Sequence, residues 1–375
     1  MNGSSSRDCF IDLLRIIASF MVVILHIRLP NFSHGKLYYY RLMVHCFVGD
    51  ANCIFWMITG CYSLSNKNSY FFSLQRIFKR IFLPTQLFSI ALFYRNANGD
   101  SRKKLWHLFR LPSNSEYHNA ILQLLTLQNW APGGGHLWYV YVYCITSIMK
   151  PAVLGVHEAF QRSNLSIYRV FLLLFLFLLF NDIVGNDLWE FSHHSLRGSL
   201  AASVFILWGA QIYQSNIPSK KYTIFICIII MVITVFVRAE LYSIFRSIHL
   251  LYWYTTFGLI QASVSFLICA KLCKNCSPFC ASLLRRIASD TFYIYLIHKE
   301  VHLALLKYKV RSFLTNTLDL GLPSVTYLVF IIIYASLVFL TSLLVVEIFT
   351  NYKYFWCLIS RCIQSSRYTG ETVSG

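Results

Sequence analysis

Long apolar stretches separated by short polar connections dominate the pattern of this 375-residue chain. A helix that crosses a membrane needs about 20 predominantly apolar residues. Stretches that approach this length predict helices over approximately 10–28, 42–64, 76–94, 136–155, 168–184, 198–213, 221–238, 250–272, 287–306 and 324–349. The pattern therefore indicates an all-α, polytopic membrane protein with about ten transmembrane helices.

The composition agrees with this prediction. Hydrophobic residues make up 57% of the chain and charged residues only 13%, and the mean hydropathy of +0.55 is far too high for a soluble domain. The formal net charge of +18 would suggest nucleic acid as the partner of a soluble protein. Here the Lys and Arg residues cluster between the apolar stretches, where such residues anchor helix ends to anionic lipid. We therefore expect membrane lipids, and not nucleic acid, as partners.

The domain organisation is simple. Residues 1–356 are predicted to form one transmembrane domain, and 357–375 a short polar C-terminal tail. If the long connection 95–135 is left out, Lys and Arg are more numerous on the side of the membrane that holds the two termini. Because positive charge marks the cytoplasmic side of short connections, we expect cytoplasmic termini.

The first apolar stretch carries three ionisable residues, Asp12, Arg15 and His26. An ionisable group at the centre of a membrane costs roughly 2.5–3.5 kcal/mol on insertion scales, so it persists mainly where it faces a protein interior. Eleven steps of a helix bring His26 within about 20° of Arg15 and about 16 Å further along the axis. The two side chains are therefore predicted to share one face.

A set of further motifs accompanies this stretch in order along the chain. The motifs are IDLLRIIASFMVVILH (11–26), IFWMITGCYSL (54–64), LQRIFKRIFLPTQLF (74–88), GHLWYVYVYCITSIMKP (135–151) and SDTFYIYLIHKEV (289–301). This set, in this order and spread over nearly the whole chain, resembles the acyltransferase-3 family of bacterial membrane O-acyltransferases. The resemblance implies an acyl-CoA donor, usually acetyl-CoA, and a cell-surface or lipid-linked glycan acceptor such as lipopolysaccharide O-antigen. It also implies a location in the bacterial inner membrane.

His26 is the candidate catalytic residue. A sugar hydroxyl is a poor nucleophile until a base removes its proton, and histidine, with an ordinary pKa of about 6.5, suits that task. The resemblance implies the same role, because the family's presumed catalytic histidine occupies this position of the motif. The alternative is an interfacial histidine at a helix end.

Three arginines, Arg15, Arg76 and Arg80, are candidates for binding the donor. Coenzyme A carries several phosphate charges, and guanidinium groups bind phosphate in a bidentate manner. Arg76 and Arg80 are four residues apart, which places them on one face of a regular helix. The alternatives are an ion pair of Arg15 with Asp12, and an anchoring role at the membrane surface for the other two.

Trp138, Tyr139 and His298 are candidates for binding the acceptor. Aromatic faces stack on sugars, although an interfacial aromatic belt is an equal alternative for Trp138 and Tyr139. His298 is an ionisable group in an apolar stretch and is expected to bind the acceptor or to support the catalytic residue. Its i,i+4 spacing from His302 is compatible with a metal, but no further ligands accompany the pair, so no metal is expected.

The hypothesis from another functional class is a secondary transporter or flippase of a glycan or small molecule, in which buried Arg and His residues relay protons. That class predicts helices broken by glycine or proline at corresponding places in two halves of the chain. The sequence shows no such repeat, and the membrane O-acyltransferase is the preferred prediction.

Overall fold

The computed structural model describes residues 8–27, 36–64, 70–96, 114–125, 135–163, 165–188, 194–215, 222–245, 255–310, 313–314 and 323–370. Much of the predicted long connection 95–135 lies outside these ranges.

The all-α prediction is confirmed, because every regular element among the described residues is helical. The longer helices are α1 (Cys9–His26), α2 (Lys36–Val48), α3 (Ala51–Ser63), α4 (Tyr70–Ile77), α5 (Leu83–Asn96), α6 (Asn114–Leu125), α7 (Trp138–Ile148), α8 (Lys150–Arg162), α9 (Ile167–Leu188), α10 (His194–Gln214), α11 (Thr223–Phe245), α12 (Thr256–Leu272), α13 (Pro278–Lys307) and α14 (Pro323–Gly370). A π-helical turn covers Phe78–Phe82, and 3₁₀ turns cover Gly135–Leu137 and Cys273–Asn275. The predicted boundary between a domain ending at residue 356 and a tail from 357 stays a prediction.

The chain divides into two compact units. The first comprises Met1–Ala18 and Arg41–Asn275, and the second comprises Ser19–Tyr40 and Cys276–Gly375. Helix α1 therefore supplies its N-terminal half to the first unit and its C-terminal half to the second.

The core of the first unit is built on the close contact of α3 with α10. A Cβ atom on Gly60 of α3 would overlap the backbone carbonyl of Ile206, and one on Gly209 of α10 would overlap the backbone of Met57. The thiol of Cys61 also lies 3.5 Å from the Gly209 carbonyl oxygen. Small residues let membrane helices approach in this way, which compensates for the weak hydrophobic drive between helices in lipid.

A buried ion pair ties α11 to the break between α2 and α3. Arg238 Nη1 donates to Asp50 Oδ2 at 2.8 Å and to the Cys46 carbonyl oxygen at 3.2 Å, and both charged side chains are almost completely buried. Gln261 of α12 donates to the same Cys46 carbonyl at 3.2 Å. A buried charge is tolerated only when it is paired and hydrogen-bonded. These contacts therefore explain how the apolar helix α11 accommodates an arginine.

The second unit is organised around α13 and α14. Ser277 caps α13 by accepting a hydrogen bond from the Cys280 amide at 3.2 Å, and Pro278 occupies the first helical position. Arg286 of α13 binds the Glu347 carboxylate of α14 through two hydrogen bonds of 2.8 Å each. The part of α1 that belongs to this unit packs on α14, where the Phe20 and Phe339 rings meet edge to face.

The protein is a multi-pass membrane protein, but the predicted number of about ten spans is not confirmed. By length and composition, five helical segments among the described residues suffice to cross a membrane, or six if α7 and α8 form one bent span. The five segments are Cys9–His26, Tyr38–Ser63, Thr223–Phe245, Thr256–Asn275 and Val325–Asn351. Their outward side chains are apolar, as on α11, where Phe225 and Val232 are largely exposed.

Two of the remaining predicted spans contain irregularities. The span predicted over 136–155 bends by 63° between α7 and α8, where Pro151 has no N–H to continue the hydrogen bonds of α7. The span predicted over 76–94 contains the π-helical turn, which lies just before Pro84. Pro84 likewise has no N–H for the carbonyl one turn earlier, and the Leu83 amide bonds instead to the Phe78 carbonyl.

Candidate functional site

A cavity in the first unit, here called the arginine cavity, brings two of the predicted donor-binding residues together. It has a volume of about 250 Å³. Its wall includes Arg15 of α1 and Arg76 of α4. These residues are 61 positions apart in sequence and meet because α1, α3, α4, α7, α8 and α10 all contribute to the lining.

Arg15 is held at the wall by a weak ion pair. Its Nη1 atom lies 3.9 Å from Asp12 Oδ1, one turn earlier on α1, which confirms the contact that the i,i+3 spacing predicts. Charge-assisted hydrogen bonds between such groups are normally about 2.7–2.9 Å long. The Asp12 side chain is 1% exposed, whereas that of Arg15 is 24% exposed. The carboxylate therefore offsets the charge of Arg15 without occupying all of its donors.

Arg76 and Arg80 do not have equivalent positions, although the sequence predicts that they share a face. Arg76 is the last basic residue of α4 and lines the cavity, with its guanidinium 5.0 Å from the centre of the Phe72 ring. Arg80 lies in the π-helical turn and is absent from the described lining. A π turn holds more residues than an α turn, so the i,i+4 rule fails across it.

Lys150 is a cavity residue that sequence analysis missed. It is the first residue of α8, at the 63° bend after α7, and this corner directs the helix start to the cavity. Lys150 belongs to the motif at 135–151, but a lysine near the end of an apolar stretch is equally typical of a surface anchor, so the sequence alone does not mark it as a cavity residue. With Arg15 and Arg76 it gives the described lining three cations and no acidic side chain. The cavity is therefore suited to an anion.

Aromatic and hydroxyl side chains form the rest of the polar lining. Trp56 and Tyr143 stack with their ring centres 5.7 Å apart and their planes 19° apart. Hydroxyl groups come from Thr59, Tyr62, Ser63, Tyr70, Ser73, Thr146 and Ser147. Several of these groups already bond to backbone carbonyls, as Thr146 does to Val142 at 2.8 Å. The wall thus combines a flat aromatic surface with polar groups at fixed positions.

The predicted acceptor residues Trp138 and Tyr139 lie beside this wall. The Tyr139 ring is 4.6 Å from that of Trp56 and 6.3 Å from that of Tyr143, and Trp138 meets Tyr139 edge to face at 6.1 Å. Neither residue is among the described lining of the arginine cavity. They follow the 3₁₀ turn Gly135–Leu137, which directly precedes α7.

The second unit brings His26 and His298 together. Their ring centres are 5.3 Å apart, with 38° between the planes. His298 is 1% exposed, and its Nδ1 lies 2.7 Å from the Tyr295 carbonyl oxygen and 3.3 Å from that of Ile294. Because carbonyl oxygens only accept hydrogen bonds, Nδ1 carries the proton and neutral His298 has its lone pair on Nε2. This tautomer leaves Nε2 as the proton acceptor.

His302 belongs to a different contact. It is 3% exposed, and its Nδ1 lies 3.1 Å from the hydroxyl oxygen of Tyr334 on α14. The i,i+4 pair of His298 and His302 therefore has separate partners, one on the backbone of α13 and one on α14. Within the described ranges, no group of three or more His, Cys, Asp or Glu residues is placed to hold a metal ion.

Comparison with known proteins identifies one relationship. The acyltransferase-3 family model, which describes an acyltransferase domain, matches residues 9–347, nearly the whole chain. No curated protein and no solved structure matches the chain.

Proposed function

Because the chain belongs to the acyltransferase-3 family, and is thus a membrane acyltransferase, we propose that it is an O-acetyltransferase of bacterial surface glycans. It moves an acetyl or similar acyl group from acyl-CoA to a hydroxyl of a cell-surface or lipid-linked glycan such as O-antigen. The observation that carries the proposal is the arginine cavity, whose described wall holds three cations and no acid.

The donor fits the charge of this cavity. Coenzyme A is polyanionic, and Arg15 and Arg76 offer guanidinium groups that bind phosphate with two parallel hydrogen bonds. Lys150 adds a point charge at the corner between α7 and α8. Pockets for drug-sized ligands commonly measure roughly 300–1,000 Å³, so a cavity of about 250 Å³ takes one part of the donor and not the whole molecule.

The aromatic wall supports the same assignment. An adenine ring stacks on aromatic side chains, and the stacked pair of Trp56 and Tyr143 presents such a surface next to the cations. We propose that Tyr139, which contacts this pair from beside the cavity, and Trp138, which contacts Tyr139, hold the rings in place or bind the acceptor sugar. Arg80 is proposed to attract the donor at the surface and not to bind it inside the cavity, since it lies in the π-helical turn and is absent from the described lining of the cavity.

The chemical step needs one base. In the proposed reaction, His26 takes the proton of the acceptor hydroxyl, and the oxygen attacks the thioester carbonyl carbon. The C–S bond then breaks, and the thiolate of coenzyme A takes up a proton as it leaves. His298, with its lone pair on Nε2 and its ring 5.3 Å from that of His26, is proposed to fix the orientation and protonation of His26.

The proposed location is the bacterial inner membrane, with the termini in the cytoplasm. This orientation follows from the Lys and Arg residues of the short connections. It would place the start of α1, and with it Arg15, nearer to the cytoplasmic supply of acyl-CoA than His26, which lies eleven residues further along the same helix.

A cellular experiment tests the proposal. Surface polysaccharide from bacteria with and without this protein is analysed by mass spectrometry before and after mild base. We expect base-labile mass increments of acetyl groups only when the protein is present, and their loss with Arg15→Ala, whose donor binding is weakened. Identical spectra with and without the protein would contradict a glycan acceptor.

A further inference from the structure

A second cavity, here called the lysine cleft, lies at one end of the first unit. Its volume is about 260 Å³. Its lining includes Phe10 from the first turn of α1, Tyr213 from the last turn of α10, Thr223 at the start of α11 and Lys271 from the last turn of α12. Two starts and two ends of long helices therefore meet at this cleft, and three of these helices, α1, α11 and α12, are long and apolar enough to cross a membrane. The arginine cavity shares none of these residues.

The floor of the cleft is aromatic. The Phe10 ring meets that of Phe266 edge to face at 5.2 Å and lies 6.3 Å from that of Tyr213. The Tyr213 hydroxyl donates a hydrogen bond to the Asp8 carboxylate. The carboxylate at the start of α1 is therefore engaged with a tyrosine of the cleft, and the three aromatic rings form an apolar part of its lining.

The rim of the cleft is basic. Lys271 stands in the last turn of α12, and Lys274 follows in the 3₁₀ turn. Both lysines line the cleft, and Lys274 is exposed. A lysine three residues after another on a helical backbone lies on the same side, so the two ammonium groups flank one opening.

The surface next to the cleft is suited to acyl chains. Helix α11 starts at the cleft with Thr223, and its outward side chains are apolar: Phe225 is 65% exposed and Ile229 is 41% exposed. A ligand with its phosphate at the lysines would therefore have a continuous apolar path along α11 into the membrane. Basic pockets between helices at a membrane surface are typical sites for anionic lipid headgroups.

We propose that the lysine cleft binds the headgroup of an anionic phospholipid, with its phosphate between Lys271 and Lys274 and its first acyl carbons against Phe10 and Phe266. Charge complementarity favours this occupant over a zwitterionic lipid. A phosphatidylcholine headgroup has no net charge, because its quaternary ammonium balances its phosphate, and that ammonium would be repelled by the two lysines. The site is independent of the proposed acyl transfer, so each can fail without the other.

Lipid binding by the full-length protein tests this site. Delipidated protein in a neutral detergent is titrated with dioctanoyl phosphatidylglycerol or dioctanoyl phosphatidylcholine, and bound lipid is counted by native mass spectrometry. We expect preferential binding of phosphatidylglycerol, and a roughly thirtyfold loss of its affinity in the Lys271→Gln/Lys274→Gln variant. A control variant, Lys79→Gln/Lys307→Gln, removes two exposed lysines elsewhere and should retain the preference.

Two further measurements separate a lipid site from other phosphate sites. Inorganic phosphate and coenzyme A are added as competitors at increasing concentration, and both should leave phosphatidylglycerol bound. Displacement by coenzyme A would assign the cleft to the acyl donor and overturn the proposal. Equal affinities for the two lipids, or a preference that survives in the Lys271→Gln/Lys274→Gln variant, would overturn it as well.

Discussion

His26 and His298 face each other with their ring centres 5.3 Å apart, one on α1 and the other on α13. The Tyr295 carbonyl, 2.7 Å from Nδ1 of His298, fixes the tautomer of that ring. A neutral histidine with its lone pair on Nε2 can accept a hydrogen bond from a neighbouring base, which orients the ring of that base and favours its uptake of a proton. It gives the predicted catalytic residue a specific partner.

Removing the ring nitrogens of His298 should slow catalysis without weakening donor binding. In His298→Phe an aromatic ring remains against His26, but Nε2 is lost. Hydrogen-bonded partners that orient a metal-bound histidine contribute about tenfold to a hundredfold to activity, and we expect a similar contribution from His298. We expect kcat to fall by that factor and its pH dependence to change, while the Kd for acyl-CoA stays unchanged. An unaltered kcat and pH profile would show that His298 only fills space.

Arg76→Gln and Arg80→Gln should differ in donor binding. Both side chains are exposed, but Arg76 lines the arginine cavity, whereas Arg80 lies in the π-helical turn outside the described lining. A hydrogen bond to a charged group contributes about 1.5–3 kcal/mol, so Arg76→Gln should raise the Kd for acetyl-CoA by roughly tenfold to a hundredfold. Arg80→Gln should have only a small effect, which high salt removes. Isothermal titration of protein in nanodiscs measures both, and equal losses would contradict the assignment.

Adding one methyl group at the α3–α10 contact should destabilise the protein. Gly60→Ala places a Cβ against the Ile206 carbonyl, and overpacking of this kind costs about 1–3 kcal/mol. Gly155→Ala is the matched control, because no atom lies within 4 Å of its added Cβ. We expect a lower thermal midpoint, measured by size-exclusion after heating, for Gly60→Ala only. A midpoint equal to that of Gly155→Ala would show that the helices can separate without cost.

The buried ion pair should behave as a coupled unit. Asp50→Asn leaves the guanidinium of Arg238 buried without its counter-charge, and breaking such a pair costs about 3–5 kcal/mol. Arg238→Gln leaves the carboxylate in the same situation. We expect the double variant to be less destabilised than the sum of the two single variants, by thermal or denaturant unfolding in detergent. Strict additivity would mean that the two charges do not stabilise each other.

The sequence predicts the features that depend on neighbours along one helix. The apolar stretches become helices, and the i,i+3 contact of Arg15 with Asp12 is present. It does not predict contacts between helices: Asp50 and Arg238 lie 188 residues apart, although a lone arginine in an apolar stretch signals that a partner exists. The sequence also does not predict that Lys150 lines the cavity or that Arg76 and Arg80 have different positions, because a bend and a π turn redirect their helices. Both irregularities depend on how nearby prolines are accommodated.

The central claim, that His26 is the base of an acyl transfer, has one direct test. Purified wild-type, His26→Ala and His118→Ala proteins in nanodiscs are supplied with radiolabelled acetyl-CoA and a glycan acceptor, and the label transferred to the glycan is counted. His118 is an exposed histidine of α6 and serves as the control. We predict that His26→Ala loses at least about a hundredfold in transfer rate, with an unchanged Kd for coenzyme A, while His118→Ala stays fully active. Transfer by His26→Ala at the wild-type rate would contradict the account.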